Sequence, residues 1–281
     1  MSSSAAPAWP AGDSRRILHA VYRVGDLEKT VALYRAAFGL EVTRERDVPE
    51  EGYKNVFLAF GDEREHTALE LTYNYGVSSY DVGKAFGHFA IASEDIYALS
   101  ARVEAAGGAI PRPPGPVKGG STHIAFAKDP TGYLFELIQR PKASKEPLAQ
   151  VMLRVGDLQR AVRFYEEVLG ARLIRTRDVP EHKYTLAFLG FKGVEEDETV
   201  FELTYNYGVE RYEHGDGYAQ VAVGTDDVAR SIEAARAAGA DVIKEATALP
   251  GIGTRIGAIR DPDGYKIVFV DNADFLKELD G

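Results

Sequence analysis

The sequence predicts an α+β protein of two tandem domains, each built from two βαβββ modules with mixed sheets and one helix per module. Three observations carry that prediction. Sliding the chain over itself by 131 or 132 positions aligns nearly all of it: RVGDL at Arg23 to Leu27 returns at Arg154 to Leu158, and ELTYNYGV at Glu70 to Val77 returns at Glu202 to Val209. Each repeat divides again into two halves with the same element order. Within each half, one helical stretch with glycine just past its end stands among short runs of strand character.

The elements follow in order. HAVYRV reads as a strand, and Asp26 caps a helix that carries Leu27, Val31, Tyr34 and Phe38 near one face before Gly39 stops it. LEVTRE, NVFLAF and TALELTYN then read as extended. The second half repeats this as HFAIAS, a helix over Asp95 to Ala106 ended by Gly107 and Gly108, then AIPR, THIAFAK and GYLFELIQR. The expected boundaries are a disordered tail over 1–16, a domain over 17–141, a linker over 142–146, a second domain over 147–270, and a C-terminal tail over 271–281.

Composition narrows the function classes. The 281 residues have a formal charge of −10 with the acids spread along the chain, which argues against nucleic acid and anionic membranes as partners and favours a small molecule. No run of ~18 apolar residues could span a bilayer, so a soluble protein is expected. The absence of cysteine excludes disulfides and thiolate chemistry, leaving His, Asp, Glu and Gln as candidate ligands. A cytoplasmic location follows, with an organelle presequence in the first sixteen residues left open.

Strand periodicity then sorts side chains by face. His19 and Arg23 share a face in HAVYRV, and Gln150 and Arg154 share one in QVMLRV. In the repeated octapeptide Glu70, Thr72 and Asn74 point together, as do Glu202, Thr204 and Asn206, leaving Tyr73, Tyr75, Tyr205 and Tyr207 to pack on the other side. The second modules open on His88 and Gln220 and close on Glu136 and Val268. Glu136 lies between Phe135 and Leu137, where an unpaired carboxylate is costly, so it calls for a partner. His66, His123, His182 and His214 have no counterpart in the other repeat and read as surface or ordinary structural residues.

HAVYRVGDL, the doubled ELTYNYGV, FGHFAIA, GPVKGG, DPTGY with FELIQR, and VDNADFLKEL resemble the glyoxalase I (lactoylglutathione lyase) family of the vicinal oxygen chelate superfamily. The likeness is to its two-domain plant-like form and spans Ile17 to Leu279. It implies two tandem glyoxalase-like domains whose paired modules form cupped sheets around a divalent metal, within a monomer that mimics a dimer. Pairing across domains would join His88, Glu136, Gln150 and Glu202 into one metal site. The second site would be degenerate: His19, Glu70 and Gln220, with Val268 where a fourth donor belongs. Pairing within a domain, which would join His19, Glu70, His88 and Glu136, is the other grouping the sequence allows.

The resemblance also implies the chemistry. Glutathione would be the co-substrate, its hemithioacetal with methylglyoxal becoming S-lactoylglutathione by proton transfer through an enediolate, with Glu136 and Glu202 as acid–base groups. Arg154 and Asn206 would hold the γ-glutamyl end, and Lys118 the glycyl carboxylate, with Lys84 adding charge. Arg23 and Asn74 would be their equivalents in the degenerate site, where Pro250 replaces lysine. Nickel is the preferred ion, with zinc, cobalt or manganese as alternatives. Two rival functions are a metal-dependent thiol transferase of the same superfamily and a metal-free ligand-binding module.

Overall fold

The structure, a computed structural model, describes residues 9–117 and 120–280. Module one comprises β1 (Ile17–Arg23), α1 (Leu27–Leu33), β2 (Glu41–Val48), β3 (Tyr53–Ala59) and β4 (Ala68–Asn74). Module two comprises β5 (Phe86–Ser93), α2 (Ile96–Ala105), β6 (Ala109–Pro116), β7 (His123–Lys128) and β8 (Leu134–Gln139). Module three comprises β9 (Leu148–Arg154), α3 (Leu158–Glu167), β10 (Arg172–Val179), β11 (Tyr184–Gly190) and β12 (Val200–Asn206). Module four comprises β13 (Tyr218–Thr225), α4 (Val228–Ala237), β14 (Asp241–Ala248), β15 (Arg255–Arg260) and β16 (Lys266–Asp271), and α5 (Asn272–Asp280) follows it.

The four module helices start alike. Asp26, Asp95, Asp157 and Asp227 each accept a hydrogen bond from a backbone N–H of the first turn, satisfying one of the donors a helix start leaves open. After Leu33 the first helix continues as a π-helical turn over Tyr34–Phe38, and Gly39, at φ 79°, ends it.

Two eight-stranded sheets result, ordered β14-β15-β16-β13-β1-β4-β3-β2 and β10-β11-β12-β9-β5-β8-β7-β6. Each sheet therefore takes one module from each domain. The joins are antiparallel, β1 against β13 and β5 against β9. One core runs between the sheets and their helices: Ala20 and Tyr22 enter it from β1, and Phe89 and Ile91 enter it from β5. The alternate residues face the other way, which is where the site lies.

Buried polar contacts fix the helices to the sheets. Tyr22 donates to Tyr34 (2.9 Å), and Tyr34 donates to Asp129 (2.8 Å), whose other oxygen accepts from the backbone of Gly132 and Tyr133. The later repeat copies this with Tyr165 donating to Asp261 at 3.0 Å. The DPTGY and DPDGY turns are thus fastenings of the core.

Three sequence expectations change. Residues 9–16 are docked: Trp9 donates to Ser231, and Arg15, its side chain 3% exposed, reaches Val168 O and Ser231. The C-terminal tail forms α5, with Phe275 buried beside Val268. Tyr75 and Tyr207 are 44% and 40% exposed, because β4 and β12 end one residue earlier, while Tyr73 and Tyr205 pack against the core. Among the described residues no helix is long and apolar enough to cross a membrane.

Candidate active site

His88, Glu136, Gln150 and Glu202 stand on the four central strands of one sheet, β5, β8, β9 and β12. Register brings them together: Gln150 and Glu136 both lie level with Ala90, while His88 and Glu202 both lie level with Met152. His88, Glu136 and Glu202 each offer a ligand atom within 4.8 Å of the others. The nitrogen Nε2 of His88 is 3.4 Å from Glu136 Oε2 and 3.8 Å from Glu202 Oε2.

Burial opposes a charged imidazole here, but the two carboxylates outweigh it and push His88 up to about 9. No aligned hydrogen bond joins His88 Nε2 to either carboxylate, although Glu202 Oε1 accepts from Thr204 Oγ1 at 3.4 Å. His88 Nε2 and Gln150 Oε1 are both buried without a hydrogen-bond partner among the described residues. Two orphaned ligand atoms beside one buried and one half-buried carboxylate fit a divalent cation, since such groups are costly to bury unless something binds them.

The site opens into a cavity of about 970 Å³ lined by residues from all eight strands, so the sheet curls into a cup. Arg154 and Asn206 line it. Arg154 is anchored by hydrogen bonds to Lys84 O (2.8 Å) and Phe86 O (3.0 Å), and Asn206 donates to Tyr212 at 2.8 Å. Lys84 does not line the cavity. Its ammonium is 79% exposed and 3.9 Å from Glu213, because its side chain leaves the strand start outward while its carbonyl turns toward Arg154. Lys118 lies outside the described residues.

A sequence profile of the Glyoxalase/Bleomycin resistance protein/Dioxygenase superfamily matches residues 16–137 and 148–269. The chain is 57% identical to a lactoylglutathione lyase of Oryza sativa subsp. japonica, over 96% of this chain and 94% of that one. The chain belongs to the glyoxalase I family. A relative named as a probable chloroplastic lactoylglutathione lyase of Arabidopsis thaliana is 55% identical over 97% of this chain and 77% of that one. The crystal structure of glyoxalase I from Zea mays superposes with a TM-score of 0.92 at 57% identity, covering 96% of this chain and 97% of that one.

This glyoxalase I fold has a second cavity, of about 870 Å³, on the other sheet, where His19, Glu70, Gln220 and Val268 come together. His19 and Glu70 are therefore not grouped with His88 and Glu136. His19 Nε2 lies 3.2 Å from Glu70 Oε2, and Asn55 also donates to Glu70. Arg23 and Asn74 are not among the lining residues: Arg23 donates to Asp216 O (2.6 Å) and Asn74 to Tyr80 (2.8 Å). Pro250 is likewise absent from the lining, although its neighbours Leu249 and Gly251 contribute.

Sequence reasoning overlooked the arginines of the first cavity, Arg112, Arg140, Arg175 and Arg177. A signal existed. The repeated RDVPE is preceded in both copies by an arginine two positions earlier, Arg44 and Arg175. Asn55 carried no such mark, since Leu186 stands at the matching position.

Proposed function

We propose that the protein is a glyoxalase I that isomerises the hemithioacetal of glutathione and methylglyoxal to S-lactoylglutathione in the first cavity. The observation that carries this is the convergence of His88, Glu136 and Glu202 within 4.8 Å, beside the orphaned amide oxygen of Gln150. Likeness to lactoylglutathione lyases over nearly the full chain favours isomerisation over thiol transfer. The orphaned donors speak against a metal-free binding module.

His88, Glu136, Gln150 and Glu202 would hold the ion, and nickel is our first choice for three oxygens and one imidazole without thiolate. Bound there, a divalent cation supplies Lewis-acid stabilisation for oxygens that gain negative charge as carbon loses its proton. Arg154 offers a planar cation to the γ-glutamyl carboxylate, and Asn206 beside it offers an amide. The Glu136 carboxylate removes the C1 proton and returns it at C2, with Glu202 as its counterpart on the opposite side. Ile124, Ile138 and the half-buried ring of Phe126 form an apolar wall beside them. Because each sheet already combines both domains, we read the chain as working as a monomer.

Substituting Glu136→Gln tests the assignment. Turnover of the hemithioacetal should fall by about 100-fold or more while divalent-metal binding by calorimetry persists. Turnover near wild type would remove Glu136 from proton transfer.

A further inference from the structure

The second cavity has Val268 in place of a fourth donor, yet it stays open at about 870 Å³. Its wall is apolar, with Phe57, Ile256, Val268 and Phe275 among the lining residues. Its floor is polar. Asn55, 8% exposed, donates through Nδ2 to Glu70, and its Oδ1 is buried without a hydrogen-bond partner among the described residues. A carbonyl oxygen buried in that state is costly unless a donor reaches it. Leu186 stands at the matching position of the first cavity, so this unsatisfied amide belongs to the second cavity alone.

At the rim a carboxylate of the chain itself is already bound. Arg44 lies over the ring of Phe57, 3.6 Å from its centre, and gives Nε and Nη2 to Glu63 at 2.9 and 3.1 Å. Its Nη1 donates to Glu278 at 3.0 Å, and Glu278 also accepts from the buried Thr254 hydroxyl. Glu278 and Phe275 are three residues apart on α5, hence on one side of the helix, and both line the cavity. The helix therefore offers an aromatic ring and a carboxylate to the same space. Of the other charges lining it, Lys277 pairs with Asp274 at 3.0 Å and Glu45 pairs with Lys54.

We propose that the second cavity binds a small apolar carboxylic acid with a hydrogen-bond donor at its far end, such as a hydroxyaryl acid, and that Glu278 is a competitor built into the chain. The ligand's carboxylate replaces Glu278 on Arg44 Nη1 and the Thr254 hydroxyl. Its donor meets Asn55 Oδ1, and its apolar body lies against Ile256, Val268 and the aromatic rings. Glu63 and Phe57 hold the guanidinium in place, so little freedom is lost when one carboxylate is exchanged for another. Because the arriving carboxylate gains at Arg44 only what Glu278 gives up, the wild-type chain binds such a ligand weakly. The site uses no residue of the first cavity and stands independently of the chemistry assigned there.

The probe is para-hydroxyphenylpropanoate, titrated into the full chain and followed by ligand-observed NMR. Glu278→Ala, which removes the competitor, should lower Kd by about tenfold or more relative to wild type. In the Glu278→Ala background, Arg44→Gln should raise Kd by about tenfold or more, and Thr254→Val, which leaves the Arg44–Glu63 pair intact, by about threefold. Phenylpropanoate, without the hydroxyl, should bind Glu278→Ala about fivefold more weakly than the probe, and adding Asn55→Leu should erase that difference. No binding to Glu278→Ala, or a Kd equal to that of wild type, overturns the proposal. So does binding that is indifferent to both Arg44→Gln and Thr254→Val, which would place the probe outside this cavity.

Discussion

His19 and His88 occupy matching places at the openings of their modules, yet their surroundings drive protonation in opposite directions. His88 faces Glu136 and Glu202 and is pushed up to about 9 against the cost of burial. His19 is pulled down to about 3 by burial, with Arg44 and Arg16 adding to the effect, and burial raises its neighbour Glu70 to about 7. A carboxyl raised from 4.5 to about 7 binds more protons folded than unfolded, so its contribution to stability falls as pH rises between those values. Glu70→Gln removes that penalty. In urea unfolding the variant should gain about 2 kcal/mol more over wild type at pH 8 than at pH 5, and an equal difference at both would contradict the assignment. Glu136 was legible because a carboxylate between Phe135 and Leu137 demands a partner. For Arg175 only the recurrence with Arg44 was legible; its contacts with Phe188 across the strand pair and Glu195 beyond the next turn are not revealed by a local charge pattern.

At the scale of elements, the loops after the two octapeptides join the domains. Lys84 N donates to Glu213 O at 2.7 Å, and Asp216 N to Asp81 O at 2.8 Å, so the two loops run against each other. Gly83 sits at φ 72°, and a Cβ there would lie 2.3 Å from the carbonyl oxygen of His214. Gly83→Ala should therefore cost about 2 kcal/mol or more by chemical denaturation, combining the left-handed backbone with a backbone clash. A loss no larger than for a surface alanine substitution would show that the loops are not held together. The repeated βαβββ order was legible, since each helix has its aspartate cap and most strands their apolar face. The helix α5 was not, because its nine residues carry one fully buried side chain, Phe275, and its hold comes from ion pairs with Arg44, Arg64 and Arg255, which are distant in sequence.

At the scale of the whole molecule, the internal repeat gives two cups whose sheets each combine both domains, and the residues in them are unequal. The first cup keeps an imidazole, two carboxylates and an amide around one point. The second has Val268 where Glu136 would stand, and Glu278 enters its rim from α5. Pairing across the domains could be stated from sequence only through a family likeness, because strand patterns define faces and not which modules meet. The two copies of ELTYNYGV supply a matched control: Glu202→Gln and Glu70→Gln make the same change in the same octapeptide. With metal-loaded protein and the glutathione–methylglyoxal hemithioacetal, kcat should fall by about 100-fold or more for Glu202→Gln and stay within about twofold of wild type for Glu70→Gln. Loss of turnover in Glu70→Gln with activity preserved in Glu202→Gln would place the chemistry in the other cup and contradict this account.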